Sequence, residues 1–316
     1  MVPTIILVSI VGFIIINLPP GDYLTYRIQE LERQGFTGAQ EQISHLRERY
    51  GLDLPLYQRY FKWAIGFLQG DMGESFAYSK PVTQLIGQRL ALTMVLSFST
   101  LIFTWLVAIP IGIYSATHQY SILDHIFTFF GFLGLSIPNF LFALVLLVGG
   151  LMLFGDAPTG LFSAQYQDAP WSMGKVVDLF KNLWVPVVVI GTAGTAGLIR
   201  IMRGNLLDIL GQEFIQTARA KGLRETVVIY KHAVRNALHP LVMQLGMTMP
   251  RIISGAAITG IVLGLPTTGP LYLEALQNQD MYLAGSFLIL LTVLLLIGNF
   301  FADIILAMLD PRIRYD

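Results

Sequence analysis

The sequence has 316 residues, no cysteine, 54% hydrophobic and 13% charged residues, and a formal net charge of zero. Soluble chains carry roughly 25% charged residues, so this composition, with a mean hydropathy of +0.63, belongs to a bilayer protein. The missing cysteines exclude disulfides, thiolate nucleophiles and cysteine-based metal sites, and the balanced charge gives no argument for a nucleic-acid partner.

Spanning the roughly 30 Å hydrocarbon core takes about 20 apolar residues in a helix. Val2 to Leu18 is the first candidate, closed by Pro19-Pro20-Gly21-Asp22. No basic residue precedes it and no small-residue cleavage site follows, so a span is expected rather than a cleaved signal. The abrupt start is what a missing N-terminal flank would give. Residues 21–89 are polar, with eight basic and eight acidic residues. Tyr23 to Arg33 and Gln40 to Tyr50 read as short helices. Leu56 to Leu68 carries Tyr57, Tyr60, Phe61 and Trp63, a mix suited to the membrane–water interface. The plain expectation is an extramembrane segment without chemistry of its own.

Leu90 to Ala116 has no charge and forms a second span, with a kink expected at Pro110. A short connection from His118 to Asp124 leads into Ile126 to Phe154, uncharged and broken by Pro138. Gly155 to Lys181 is a polar loop. Asn182 to Ile199 is the fourth span, and its Gly191, Ala193, Gly194, Ala196 and Gly197 permit close approach of another helix. Gly211 to Pro240 is a basic island. Leu241 to Leu265 and Leu283 to Leu306 complete the set, separated by Pro266-Thr267-Thr268-Gly269-Pro270 and a short polar stretch to Asp280. The expected fold is all-α and integral to the membrane, with six transmembrane helices. The expected divisions are 1–20 (first span), 21–89 (extracytoplasmic segment) and 90–316 (core with five further spans).

Basic residues favour the cytoplasmic side. The island and its entry hold Arg200, Arg203, Arg219, Lys221, Arg224, Lys231 and Arg235 against Asp208, Glu213 and Glu225, a net +4. The tail adds Arg312 and Arg314. Six spans then place both termini and the island in the cytoplasm.

Motifs for chemistry are missing. Gly174-Lys175 is followed by Val176, so there is no GxxxxGK[ST] phosphate loop. Neither HExxH nor GxSxG occurs, and the five histidines lie in loops or near span ends. No enzyme activity, metal or cofactor is expected. Arg251 lies inside the fifth span, where a charge is costly. It reads either as a pore-lining contact for a polar substrate or as a structural residue, in an ion pair or hydrogen-bonded to carbonyls freed by Pro250. Asp303 reads as helix packing or snorkelling near the cytoplasmic end.

The island itself reads as helix–turn–helix. Phe214 to Lys221 is helical, Gly222 stops it, and Thr226 to Ala237 forms a second helix. Ala218 and Ala220 keep one face small, which suits insertion into a groove of another protein. Arg219, Lys221 and Arg224 ring the turn. A short rigid helix tied to two spans is a lever; a solvated loop that only fixes topology is the alternative.

The island resembles the coupling (EAA) loop of ABC importer permeases, closest to the peptide/nickel branch, where it reads "TARAKGL…HALRNALLP". Here it is Thr217-Ala218-Arg219-Ala220-Lys221-Gly222-Leu223, then His232-Ala233-Val234-Arg235-Asn236-Ala237-Leu238-His239-Pro240. The leading acid of the EAA pattern is absent, as is usual for the branch. Pro20-Gly21-Asp22, Tyr50-Gly51-Leu52-Asp53-Leu54-Pro55-Leu56, Gly70-Asp71-Met72-Gly73-Glu74-Ser75 and Leu309-Asp310-Pro311-Arg312-Ile313-Arg314 resemble further family motifs in the right order. Arg251 and Leu265 to Pro270 depart from it.

The resemblance implies a cytoplasmic coupling helix between spans four and five, with Glu213, Ala218, Arg219, Lys221, Gly222 and Arg224 carrying contact to the ATPase. It implies one half of a pore for a small peptide or an oligosaccharide. The implied partners are a second related permease, two ABC ATPase subunits and an extracytoplasmic solute-binding protein, all within a lipid bilayer. A self-contained channel or secondary transporter is the rival class. It would show matched inverted repeats, and none is visible.

Overall fold

Hydropathy and proline positions account for most of the helix boundaries. The computed structural model describes residues 2–17, 54–75, 77–155, 157–248 and 257–309. In chain order these form α1 (Val2–Asn17), α2 (Leu56–Leu68), the short strands β1 (Glu74–Ser75) and β2 (Lys80–Pro81), and α3 (Val82–Thr117). Then come α4 (Ile122–Ser136), α5 (Asn139–Phe154), α6 (Met173–Asn182) and α7 (Trp184–Leu210). The island gives α8 (Glu213–Ala220), α9 (Glu225–Val227), a π-helical stretch Val228–Val234, α10 (Arg235–Ala237) and α11 (His239–Met243). Last are α12 (Ala257–Val262), α13 (Thr268–Gln277) and α14 (Met281–Leu309). The expected helices Tyr23 to Arg33 and Gln40 to Tyr50 fall outside the described residues, as do the Pro19 to Asp22 and Asp310 to Arg314 motifs and Arg251.

Among the described residues α3, α7 and α14 are each long and apolar enough to cross a membrane. The expected second and sixth spans lie within α3 and α14, and the fourth coincides with α7 from Trp184 onward. The third span is different: α4 and α5 meet at an angle of 101°. Pro138 supplies the cause. It has no N–H to continue the ladder, and it forces Ile137 into an extended conformation, φ −89° and ψ 119°. The pair is thus a broken span or a re-entrant hairpin. Pro110, by contrast, sits inside α3 without ending it. The expected fifth span, Leu241 to Leu265, is described only in part: helix is interrupted at Gln244, α12 runs from Ala257 to Val262, and residues 249–256 lie outside the described residues. The loop from Gly155 to Lys181 contains α6, an amphipathic helix capped by Ser172, whose hydroxyl accepts from the Lys175 N–H.

The chain divides into two compact units. The first holds residues 1–92 and 267–294. There α2 packs on α1: Trp63 and Tyr60 meet the Phe13 ring at 5.6 and 5.5 Å, and the hydroxyls of Ser9 and Tyr60 are 2.8 Å apart. Trp63 is therefore a packing residue rather than an interface anchor, while Tyr57 and Phe61 remain exposed. The β1–β2 ribbon pairs Ser75 with Lys80. It is fixed by Asp280, fully buried, which accepts from the Ser75 hydroxyl at 2.5 Å and the Ala77 N–H at 3.1 Å. Asp280 also accepts from the Leu283 N–H and so caps the start of α14. Tyr78 donates to Glu274 of α13.

The second unit holds residues 93–266 and 295–316. Of the glycines on α7 expected to admit a neighbour, Gly191 does so, while an added methyl at Gly197 would meet nothing within 4 Å. A methyl group added at Gly191 would meet Phe103 at 2.8 Å, and one at Gly112 of α3 would meet Met202 at 2.7 Å. The helical turn after α11 touches α14 in the same way. A methyl at Gly298 would meet the Gly246 carbonyl oxygen at 2.9 Å. In the loop before α7, Lys175 donates to the carbonyls of Gln167 and Ala169, with its ammonium over the Phe162 and Trp171 rings. Asp124 in α4 accepts from Arg203 of α7 at 3.1 Å and from the Tyr120 N–H at 3.0 Å.

Candidate functional site

The island is built by two local signals and one packing face. Glu213 opens α8, where a carboxylate suits the positive end of the helix. Arg219 lies in the last turn. Gly222 ends the helix with φ +74°. The Leu223 N–H reaches the Ala218 carbonyl at 3.4 Å, and the Gly222 N–H reaches that of Arg219 at 2.9 Å. This is the paired closure of a Schellman motif, which needs a left-handed residue at the glycine position. A side chain there would meet nothing within 4 Å, so the backbone angle, not space, demands glycine.

One face of the island turns inward. Ile215, Val228, Ala233, Ala237 and Leu241 are fully buried with Met202 and Leu206 of α7, and Ile113 and Ala116 of α3 complete the cluster. The island is docked on two of the membrane helices rather than hanging from them. The seven-residue π-helical stretch lies at the centre of that contact. Its wider turn rotates the following residues relative to an α-helix, and so brings both Val228 and Ala233 inward.

Ala218 corrects the sequence reading. It is 7% exposed and belongs to this inner cluster, so its small side chain serves packing within the chain and not an outward groove contact. Ile215 and Ala218, three apart, mark the buried face. Glu213, Lys221, Gly222 and Arg224 are all exposed, and so is Ala220. Arg219 is held across the turn by Glu225, Nη2 to Oε1 2.7 Å, with Nε at 3.2 Å from both carboxylate oxygens. That hydrogen bond pulls the Glu225 carboxyl below its usual range and raises Arg219. The pair is half-exposed and ties the turn together more than it offers a free charge.

Two outer residues escaped the sequence reading. Phe214 and Leu223 are 46% and 41% exposed. Phe214 lies in the first turn of α8 and Leu223 in the turn beside Lys221 and Arg224, so the island's exposed side carries both apolar and basic groups. Phe214 was legible from its place beside Ile215: once Ile215 is inward, its neighbour one residue back turns about 100° away. Leu223 had no such periodic signal, because it lies in the turn. Asp303 is exposed on α14 next to Phe300 and Ile304. Among the described residues no group of three His, Cys, Asp or Glu side chains could hold a metal ion.

Comparison with known proteins gives consistent results. The family described as "Binding-protein-dependent transport system inner membrane component" matches residues 108–315. The oligopeptide transport system permease protein AppB of Bacillus subtilis is 35% identical over 319 residues, covering 99% of this chain and 96% of that protein. The dipeptide transport system permease protein DppB of Escherichia coli is 30% identical over 331 residues, covering 100% and 96%. OppB of Haemophilus influenzae, an oligopeptide transport system permease protein, is 32% identical with coverage of 99% and 96%. Among solved structures, a chain of the MetNI methionine ABC transporter in inward-facing conformations superposes with a TM-score of 0.52 at 19% identity. It covers 72% of this chain and 97% of that one, a likeness of fold. With the family matched over most of its length and relatives at 30% identity or more covering nearly all of it, this chain belongs to the inner-membrane permease family of binding-protein-dependent ABC transport systems.

Proposed function

We propose that this permease forms one half of a heterodimeric pore that imports short peptides. ATP is spent on two separate ATPase subunits, and solute arrives on an extracytoplasmic binding protein. The observation that carries the coupling role is the island's two-sidedness. Its inner face is locked to α3 and α7 by Ile215, Ala218 and Val228, while Phe214, Lys221, Leu223 and Arg224 remain outside. A push on that outer face has a rigid path to two membrane helices, since packed interfaces move as bodies rather than deform. Peptide is favoured over oligosaccharide because the curated relatives are named for oligopeptide and dipeptide transport.

The proposed topology has six spans, with both termini and the island cytoplasmic and residues 21–89 extracytoplasmic. Two pairings support it. Ser75 and Tyr78 bond to Asp280 and Glu274, so two segments assigned to the outside meet each other. Asp124, just after the short inner connection, pairs with Arg203 near the island end of α7. The 101° pair of α4 and α5 counts as one span in this scheme, and α1 and the segment around residues 249–256 as two more. The test is reconstitution of the chain with its partner permease, ATPases and binding protein in liposomes. Labelled peptide should accumulate only with ATP and all components. Accumulation without the ATPase subunits would instead make this a self-contained channel or secondary transporter.

A further inference from the structure

The second unit holds a partly open cavity of about 400 Å³. That is within the usual size of a small-molecule site, roughly 300 to 1,000 Å³. Its polar wall consists of Thr100 and Thr104 of α3, Asn139 at the start of α5, Arg200 of α7, and Gln244 and Thr248 after α11. Gly194 and Gly197 on α7 also line it and leave the room.

Arg200 is exposed at the edge of this cavity and has no hydrogen-bond or ion-pair partner among the described residues, whereas Arg203, one turn further along α7, is held by Asp124. Thr100 is 2% exposed, and its Oγ1 has no hydrogen-bond partner. Arg200 lies one residue past the apolar run that ends at Ile199, at the island end of α7, and an unpaired guanidinium there is free to take an anion. A buried hydroxyl without a partner carries a penalty. The neighbouring hydroxyls and amides are all donors to an anionic oxygen. The planar fork of arginine matches a carboxylate at two points.

We propose that Arg200 receives the C-terminal carboxylate of a short peptide in transit through this cavity, with Asn139 and Gln244 as supporting donors. The proposal rests on the peptide-importer reading above. At this end of the pore the carboxylate is the part of a small peptide with neutral side chains that an unpaired guanidinium attracts most.

The test uses the complete reconstituted transporter. Trialanine and a tripeptide library are each supplied as free acid and as C-terminal amide, preloaded at saturation on the binding protein. Wild type, Arg200→Gln and Arg200→Lys are compared. Arg200→Gln should lower uptake of the free acids roughly tenfold or more relative to the amides, the scale of one charged hydrogen bond. Arg200→Lys should lose less, because it keeps the charge without the fork. Equal losses for acid and amide would overturn the proposal and leave Arg200 a structural role or a contact with a lipid phosphate. Unchanged uptake of both would overturn it as well. Failure of the wild type to import any peptide overturns the importer reading first, before any variant is compared.

Discussion

Gly222 is the residue on which the island's shape turns. Its φ of +74° is reached without cost by glycine, whereas a β-branched residue pays about 1–2 kcal/mol or more there. Gly222→Val should therefore loosen the closure made by the Leu223 and Gly222 N–H groups while leaving the membrane helices inserted. The expected outcome is ATP hydrolysis that no longer responds to loaded binding protein, and uptake reduced several-fold. Stimulated hydrolysis and uptake at wild-type levels in that variant would remove the lever reading. At this scale the sequence was informative where local rules apply. Gly222 as the stop of α8 followed from its conformational freedom alone. Ala218 was misjudged because smallness is ambiguous: it fits a foreign groove and a tight internal contact equally. Only Met202 and Leu206, distant in sequence, decide between them.

Among the elements, the junction of α4 with α7 carries the clearest energetic stake. Asp124 is 2% exposed and meets Arg203 through both Nε and Nη2. Removing one partner of a buried pair leaves the other uncompensated, about 3–5 kcal/mol when both are fully buried. Arg203 is partly exposed, which lowers the expected loss to roughly 2–3 kcal/mol. Asp124→Ala should lower the thermal unfolding midpoint of the detergent-solubilised protein, and Asp124→Asn should lower it less. An unchanged midpoint for Asp124→Ala would show that the pair contributes nothing net. No pattern in the sequence joins residues 124 and 203, because the pairing follows from how the helices pack. The break at Pro138 was legible, since proline acts through its own ring and missing N–H. The size of the bend was not, because the contacts of α5 with α7 and α12 set where the chain goes after it.

For the molecule as a whole, the long apolar helices were the most legible feature and the fifth span the least. Its sequence passes for a span despite Arg251, yet Pro250 and several glycines fall within it. Hydropathy measures what lipid tolerates and not whether the helix is continuous. The proposed topology has a direct check, because the sequence has no cysteine to remove. Single cysteines at the exposed positions Gln58, Asp168 and Lys221 should separate cleanly. A membrane-impermeant maleimide should label Gln58→Cys and Asp168→Cys in intact cells, and Lys221→Cys only after permeabilisation. Labelling of Lys221→Cys from outside would invert the scheme.

The meeting of Gly246 with Gly298 has a mechanical consequence. Helices usually engage through ridges of side chains seated in grooves, which fix both the crossing angle and the position along the axis. Here two backbones come together at glycines, and the Asn299 side chain of α14 fills the space a Cβ at Gly246 would take. Gly246 is thus a socket and Asn299 the peg in it, so the contact sets the register of the two segments as well as their separation. The helical turn that follows the island is keyed to α14 at one residue, and any sliding between them must first withdraw that side chain.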